Sequence, residues 1–308
     1  MAPGPAAGSA QHQLLPRRVH RAPRTEPAGT DFSRPFLDLL FDTSSQTLLE
    51  VAADPKWLGA QIGFLSILHT WSQTLLGHYH VHCVVPGGGL SPDHQRWIST
   101  SHPLFLVPIP VLRIVFRNKF LAGLRQLYRK GLLDCQGPAA AFINYAWFEQ
   151  LMEMLGKKDW YVYAKPPFGG PEHVLLYLGR YTHRMAISNH RITAFDGEHV
   201  SFRWRDYVHG GKQRVMPLDA VEFLRRFFLH VLPRGFVRIR HYGLLANRFR
   251  KQLLPLARTL LAAQGREPPP LPPPPDCDLW HCPRCGKAMR VVQHFTAAEL
   301  YFAGIDSS

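Results

Sequence analysis

The run His80-Val81-His82-Cys83-Val84-Val85, closed by Pro86-Gly87-Gly88-Gly89, constrains the fold of this chain more than any other segment. Successive side chains in a strand point to opposite faces, so residues two apart share a face. Val81, Cys83 and Val85 therefore look into a core, while His80 and His82 project together from the other side. Proline and glycine cannot continue a ladder, so the strand stops there.

The surrounding pattern places this strand in an α+β fold with a strand-rich centre flanked by helices. Leu37, Leu40, Phe41, Leu48, Leu49 and Val51 follow helical spacing that ends before Pro55. Ile62 to Trp71 reads as a strand, Val111 to Leu133 as an amphipathic basic helix, and Ala139 to Leu155 as a second helix. Trp160 to Ala164 is a short strand with alternating aromatic residues. Gly169-Gly170-Pro171 opens a further helix, with Pro171 suited to its first turn and Glu172 complementing its dipole. Ile192 to Tyr207 resembles a hairpin turning at Asp196-Gly197. A helix from about Leu218 to Leu232 and a strand from Val237 to His241 follow. Residues 1–30, rich in Ala, Pro, Gly and Arg, read as a disordered basic leader. Residues 31–262 read as one domain, 263–276 as a stiff proline-rich linker and 277–308 as a tail.

Charge narrows the partner. The chain has 308 residues, 46% of them hydrophobic, so a core can be buried, and its net charge is +14. Such an excess suits a polyanion, either nucleic acid or an acidic membrane surface. The N-terminus has no apolar signal segment, no apolar run is long enough to span a membrane, and five cysteines lie at irregular spacing. The sequence reads as cytoplasmic.

Two neutral imidazoles on one strand face can chelate a divalent ion, although the same pattern suits two histidines on a solvated face. His78 shares the face, but at about 3.3 Å rise per residue it lies roughly 13 Å from His82, too far for one ion. A third ligand from the preceding strand, His69 or Gln73, fits better, and His69 reads equally well as a buried structural histidine. Tyr177 and Tyr181, four apart in the helix from Pro171, share one face, with Arg184 on it and Arg180 close by. A phenol with a pKa near about 10 is a poor nucleophile unless a cation polarises its target and arginines stabilise the oxyanion. Two core tyrosines on an amphipathic helix would give the same spacing.

From Arg203 to Arg258 there are 13 Lys and Arg against three Asp and Glu. Phe202, Trp204, Tyr207, Phe236 and Tyr242 are interleaved with these charges. Cations that release counterions and aromatics that stack on unpaired bases suit single-stranded DNA, although half or more of these rings belong to a core. Phe223, Phe227 and Phe228 are read as core. Arg203, Arg205, Arg238 and Arg240, with Lys165, Arg180 and Arg184, are assigned to phosphates. Cys282-Pro283-Arg284-Cys285-Gly286 is half a zinc knuckle, for which Cys277, His281 and His294 are the other nearby donors. Cys83 and Cys135 read as small buried residues.

Several long segments resemble one family in the same order. They are Ile67 to Trp71, His80 to Ser91, Tyr163 to Pro171, Tyr177 to Asn189 and Leu232 to Gly243. The family is the rolling-circle transposases of the insertion sequence ninety-one type, including the common-region (ISCR) elements. The likeness runs from about Asp31 to about Ala262. It implies an HUH endonuclease, with the His-x-His on a middle strand of an antiparallel sheet and the tyrosines on an adjacent helix. It implies His80 and His82 as ligands for Mg²⁺ or Mn²⁺, and Tyr177 and Tyr181 as nucleophiles on single-stranded DNA at element ends and targets. The products implied are a 5′-phosphotyrosine and a free 3′-hydroxyl. Family members carry a cysteine-rich zinc segment ahead of the nuclease; here no cysteine precedes Cys83, so a truncated form is expected. A replication initiator or relaxase would share this chemistry, and a catalytically silent DNA-binding remnant would keep the residues without it.

Overall fold

The computed structural model describes residues 10–16, 34–101, 106–133, 135, 137–165, 171–182, 186–265 and 285–287, with the backbone alone at 10–16, 180–182 and scattered other positions. In chain order the elements are β1 (Ala10–Pro16), α1 (Arg34–Ala53), β2 (Gly63–Trp71), β3 (Gly77–Val85), β4 (Gly88–Leu90) and β5 (Trp97–Ser99). Then come α2 (Ile109–Arg129), α3 (Tyr145–Lys157), β6 (Trp160–Lys165), α4 (Pro171–Thr182), β7 (Ile192–Phe195), β8 (His199–Asp206) and β9 (Lys212–Asp219). α5 (Ala220–Phe228), β10 (Ile239–Gly243) and α6 (Arg250–Ala263) complete them. The fold is α+β.

The main sheet has the order β10-β2-β3-β1-β6, antiparallel throughout, with β3 in the middle. Its pleat sorts the side chains as the period of two requires. Phe64, Leu68, Val81, Cys83, Val85, Trp160 and Val162 lie on one face, in a core shared with Leu40, Phe41 and Leu48 of α1 and Phe116 and Phe120 of α2. The register sets Ile67 opposite His82 and His69 opposite His80, so the three histidines share the other face. α1 buries four hydroxyls beside its apolar stripe. Thr43, Ser44, Ser45 and Thr47 donate to carbonyls three or four residues back, which satisfies their donors within the helix.

Glycine is required where β10 meets β2. Gly243 has φ of +58°, and a Cβ there would lie 1.9 Å from the Ile62 carbonyl oxygen. Only a residue without a side chain lets the two strands close at this point.

Four expectations change. Ala10–Pro16, inside the stretch read as a disordered leader, forms the strand between β3 and β6. The edges of β3 and β6 would otherwise leave backbone donors and acceptors unpaired in mid-sheet. The helix expected from Ala139 begins at Tyr145, after a 3₁₀ turn over Gly137–Ile143. Asn144 caps it by accepting from the Ala146 and Trp147 amides. The hairpin is a three-stranded sheet, β7-β8-β9, whose third strand contains Pro217, an edge position that proline tolerates. The helix expected to reach Leu232 ends at Phe228, which is 59% exposed rather than core. Five residues beyond Phe223, it sits about 140° around the helix.

The small sheet has its own core of Val200, Phe202 and Phe223 with Leu75 and Ala186. It is tied to the β2–β3 turn by Arg191 Nη2 to the Gln73 carbonyl (2.6 Å), Arg226 Nη1 to the Thr74 carbonyl (3.2 Å) and His230 Nε2 to the Leu75 carbonyl (2.9 Å). Met1–Arg266 forms one compact unit and Glu267–Ser308 another. Among the described residues no helix is long and apolar enough to cross a membrane.

Candidate active site

The open face of the sheet gathers His69, His80 and His82, each buried, with one ring nitrogen from each within 4.8 Å of the other two. Burial holds all three below the ordinary histidine range. For His69 the neighbouring His82 and His80 add to this, and for His80 the neighbouring His82 and His78 do so. His82 is pushed down to about 3 by burial, by the Lys165 cation and by His78. The rings are therefore neutral at physiological pH, the form in which imidazole ligates metals.

The hydrogen bonds fix where the protons sit. His80 Nδ1 lies 2.7 Å from the His78 carbonyl, an acceptor only, so Nδ1 carries the hydrogen and Nε2 keeps its lone pair. His82 Nε2, 2.8 Å away, then donates to His80 Nε2. That leaves His82 Nδ1 to accept from the Tyr177 hydroxyl at 2.6 Å. The result is an ordered chain running from Tyr177 on α4 through two histidines of β3 to the His78 carbonyl.

This donor set fits a divalent ion. Two nitrogens bound at right angles with bonds of about 2.1 Å lie about 3.0 Å apart. The two Nε2 atoms are 2.8 Å apart. The carbonyl partner of His80 Nδ1 is the usual outer support of a ligating histidine.

Of the two candidates for a third ligand, the structure brings His69 to the group. Gln73 is placed elsewhere: its Oε1 accepts from the Arg205 amide at 3.4 Å. His78 lies outside the three, its ring centroid 4.7 Å from that of His80. Lys165, at the end of β6, is exposed and near enough to act on His82. Tyr181 and Arg180 lie on α4, where only their backbone is described, and Arg184 lies outside the described residues. Arg203 and Arg205 are exposed on β8 and line a cleft.

Arg238 donates from Nε to the Leu68 carbonyl (3.1 Å), with its guanidinium 5.1 Å from the Trp71 ring centre. Arg240 is not at this surface. Paired opposite Ser66, it faces the helices, hydrogen-bonds Asp38 and covers the Phe41 ring at 4.2 Å. Alternation along β10 sends its side chain away from the histidines. Among the interleaved aromatics, Phe202 is fully buried, and Tyr242 stacks on Phe64 with ring centres 5.3 Å apart. Tyr207 is 68% exposed.

Cys83 is buried, bonded to Ser66, and its thiol is pushed up to about 12 by burial. Cys135 is half-buried, and Cys285 is exposed with a free thiol. Cys282, Cys277, His281 and His294 lie outside the described residues.

Two contributors escape sequence reasoning. Trp71 stacks on His69 with ring centres 5.1 Å apart and planes 15° apart. Its place two residues after His69 was the available signal. Arg191 donates to the Gln73 and Arg203 carbonyls, joining β8 to the β2–β3 turn. No local pattern marks it.

A family described as "Putative transposase" (Y2_Tnp) matches residues 63–252, which include the three histidines and Tyr177. The chain is 46% identical over 264 residues to "Putative transposase y4qJ" of Sinorhizobium fredii, covering 82% of this chain and 66% of that protein. It is 27% identical over 229 residues to "Transposase for insertion sequence element IS801" of Pseudomonas savastanoi pv. phaseolicola, covering 73% of this chain and 52% of that one. The alignments thus take in less than two thirds of either relative's length. No solved structure matches.

Proposed function

The chain belongs to the Y2_Tnp transposase family, and we propose that it cuts and rejoins single-stranded DNA through Tyr177 in rolling-circle transposition. The observation that carries this reading is the 2.6 Å hydrogen bond between Tyr177 Oη and His82 Nδ1. It sets Tyr177, the tyrosine of α4 whose side chain is described, against a buried cluster of three neutral histidines. A nucleophile and a metal-ligand set side by side are what phosphodiester transfer by a weak phenol requires.

In the proposed step the Tyr177 oxygen attacks phosphorus and the bond from phosphorus to the 3′ oxygen breaks. The protein holds a 5′-phosphotyrosine, and the departing oxygen takes a proton from water to become a free 3′-hydroxyl. His69, His80 and His82 would hold a divalent ion, and three nitrogen donors suit Mn²⁺ better than the harder Mg²⁺. When bound, such an ion polarises the phosphate and neutralises charge developing on it. A histidine that ligates through Nε2 carries its hydrogen on Nδ1. His82 then donates to Tyr177 Oη, favouring the phenolate, and the phenolic proton leaves to water. Lys165, Arg180 of α4 and Arg184 would supply cations for the phosphate. Tyr181, four residues on, is the second nucleophile for strand transfer, while the Cys282–Cys285 pair is half of a four-donor zinc site and holds an ion only if a partner supplies further ligands.

The test uses labelled single-stranded oligonucleotides from element ends, with Mn²⁺ or EDTA, on denaturing gels. A protein-linked band that needs Mn²⁺ and is lost in His80→Ala is expected. Undiminished cutting by that variant would remove the metal site from the account.

A further inference from the structure

We propose that the cleft between β8 and the β2–β3 turn is a subsite for an unpaired nucleotide of the DNA strand, adjoining the histidine site. The identity of the strand rests on the function proposed above. The cleft itself has a volume of about 500 Å³, within the range of small-ligand sites and far too small for a duplex. Three properties of its wall point to a nucleotide.

The first is charge. Arg191, Arg203 and Arg205 line it, together with His190, and among the described residues no carboxylate does. Arg191 is committed to the carbonyls of Arg203 (2.8 Å) and Gln73 (2.6 Å), and it is the frame of the cleft. The Arg203 and Arg205 side chains are exposed, as phosphate-binding cations must be.

The second is the aromatic surface. Trp71, Trp204 and Tyr207 contribute to the same wall. Base stacking on such rings is tolerant of sequence but needs a base free of its partner strand. Ser188 and Gln213 add hydrogen-bonding groups beside them.

The third is position. Trp71 is shared: it lines the cleft and stacks on His69, with ring centres 5.1 Å apart. A strand whose phosphate lies at the histidines therefore meets the cleft one aromatic ring away. The wall is also rigid before any DNA arrives. The turn that carries Gln73 is bonded to Arg191, Arg226 and His230, so little ordering cost remains on binding.

The test separates stacking from charge. Fluorescence anisotropy with the full chain compares a twelve-nucleotide thymidine strand with an abasic deoxyribose-phosphate strand of the same length. The wild type is expected to prefer the strand with bases by about fivefold or more. Tyr207→Ala should reduce that preference. Tyr207 is 68% exposed, so the variant should melt like the wild type. Arg205→Ala should weaken both strands alike and keep the preference. A preference unchanged by Tyr207→Ala, or a duplex of equal length bound as tightly as the thymidine strand, would overturn the subsite. Cutting that survives while the preference is indifferent to Tyr207 removes the cleft alone. Failure of metal-dependent cutting with the Tyr207-dependent preference intact removes the nuclease and leaves the cleft.

Discussion

His82 links two kinds of chemistry through its two nitrogens, one turned to His80 and one to Tyr177. Its neutrality has a consequence for stability. The folded ring titrates at about 3 against 6.5 ordinarily, so between those values the unfolded chain binds more protons than the folded one. The stability this supplies is complete above about pH 6.5 and is lost as pH falls toward about 3. His69 and His80 shift in the same direction. For each ring the loss approaches about 1.4 kcal/mol per pH unit. Urea unfolding at pH 7 and pH 5 should therefore show a smaller difference in His82→Gln than in the wild type, and equal differences would contradict the neutral assignment. The third ligand is testable at the same scale. Calorimetric titration with Mn²⁺ should find His69→Ala weakened by at least about tenfold. Gln73→Ala, whose amide is engaged by the Arg205 backbone, should stay within about twofold of the wild type.

Among the elements, β8 depends on Phe202, which is fully buried at the centre of the small core. Phe202→Ala should cost about 3–5 kcal/mol where the sheet cannot collapse onto the space. Hydrogen exchange should speed up in β7–β9 more than in β2 and β3. Uniform acceleration across both sheets would show that they unfold as one unit. In the main sheet β3 was legible because its apolar residues recur at every second position and it stops at Pro86, whereas β1 was hidden in a stretch whose composition reads as disorder. Tyr177 and Tyr181 could be placed on one helix face by spacing alone. β9 was hidden because Pro217 and four polar or charged residues mask its pattern, which only its pairing with β8 explains. Arg240 misled because composition shows charge but not face. The register against Ser66, set by distant strands, decides that it meets Asp38. Arg191 acts through contacts with segments distant in sequence, and no window contains both partners, whereas Trp71 lies two residues from the His69 ring it stacks on.

For the molecule as a whole, the division between the two faces of the main sheet carries the account. α1 and α2 close one face over the core, while the other holds the histidines and exposes Tyr161, Tyr163 and Lys165 of β6. With a net charge of +14, binding to single-stranded DNA should weaken with salt. A slope of about −2 to −4 in log affinity against log salt is expected for three to six phosphates neutralised. A slope near zero would mean that the basic surface does not meet the strand. The central claim is that Tyr177 is the nucleophile, and the adduct itself tests it most directly. Trypsin cuts after Arg180 and so separates Tyr177 from Tyr181. After reaction with a cleavable single strand and Mn²⁺, followed by nuclease trimming, mass spectrometry should find a nucleotide phosphate on the peptide containing Tyr177. It should be absent in Tyr177→Phe under first-strand conditions. A modification confined to the Tyr181 peptide, or an adduct undiminished in Tyr177→Phe, would contradict the assignment.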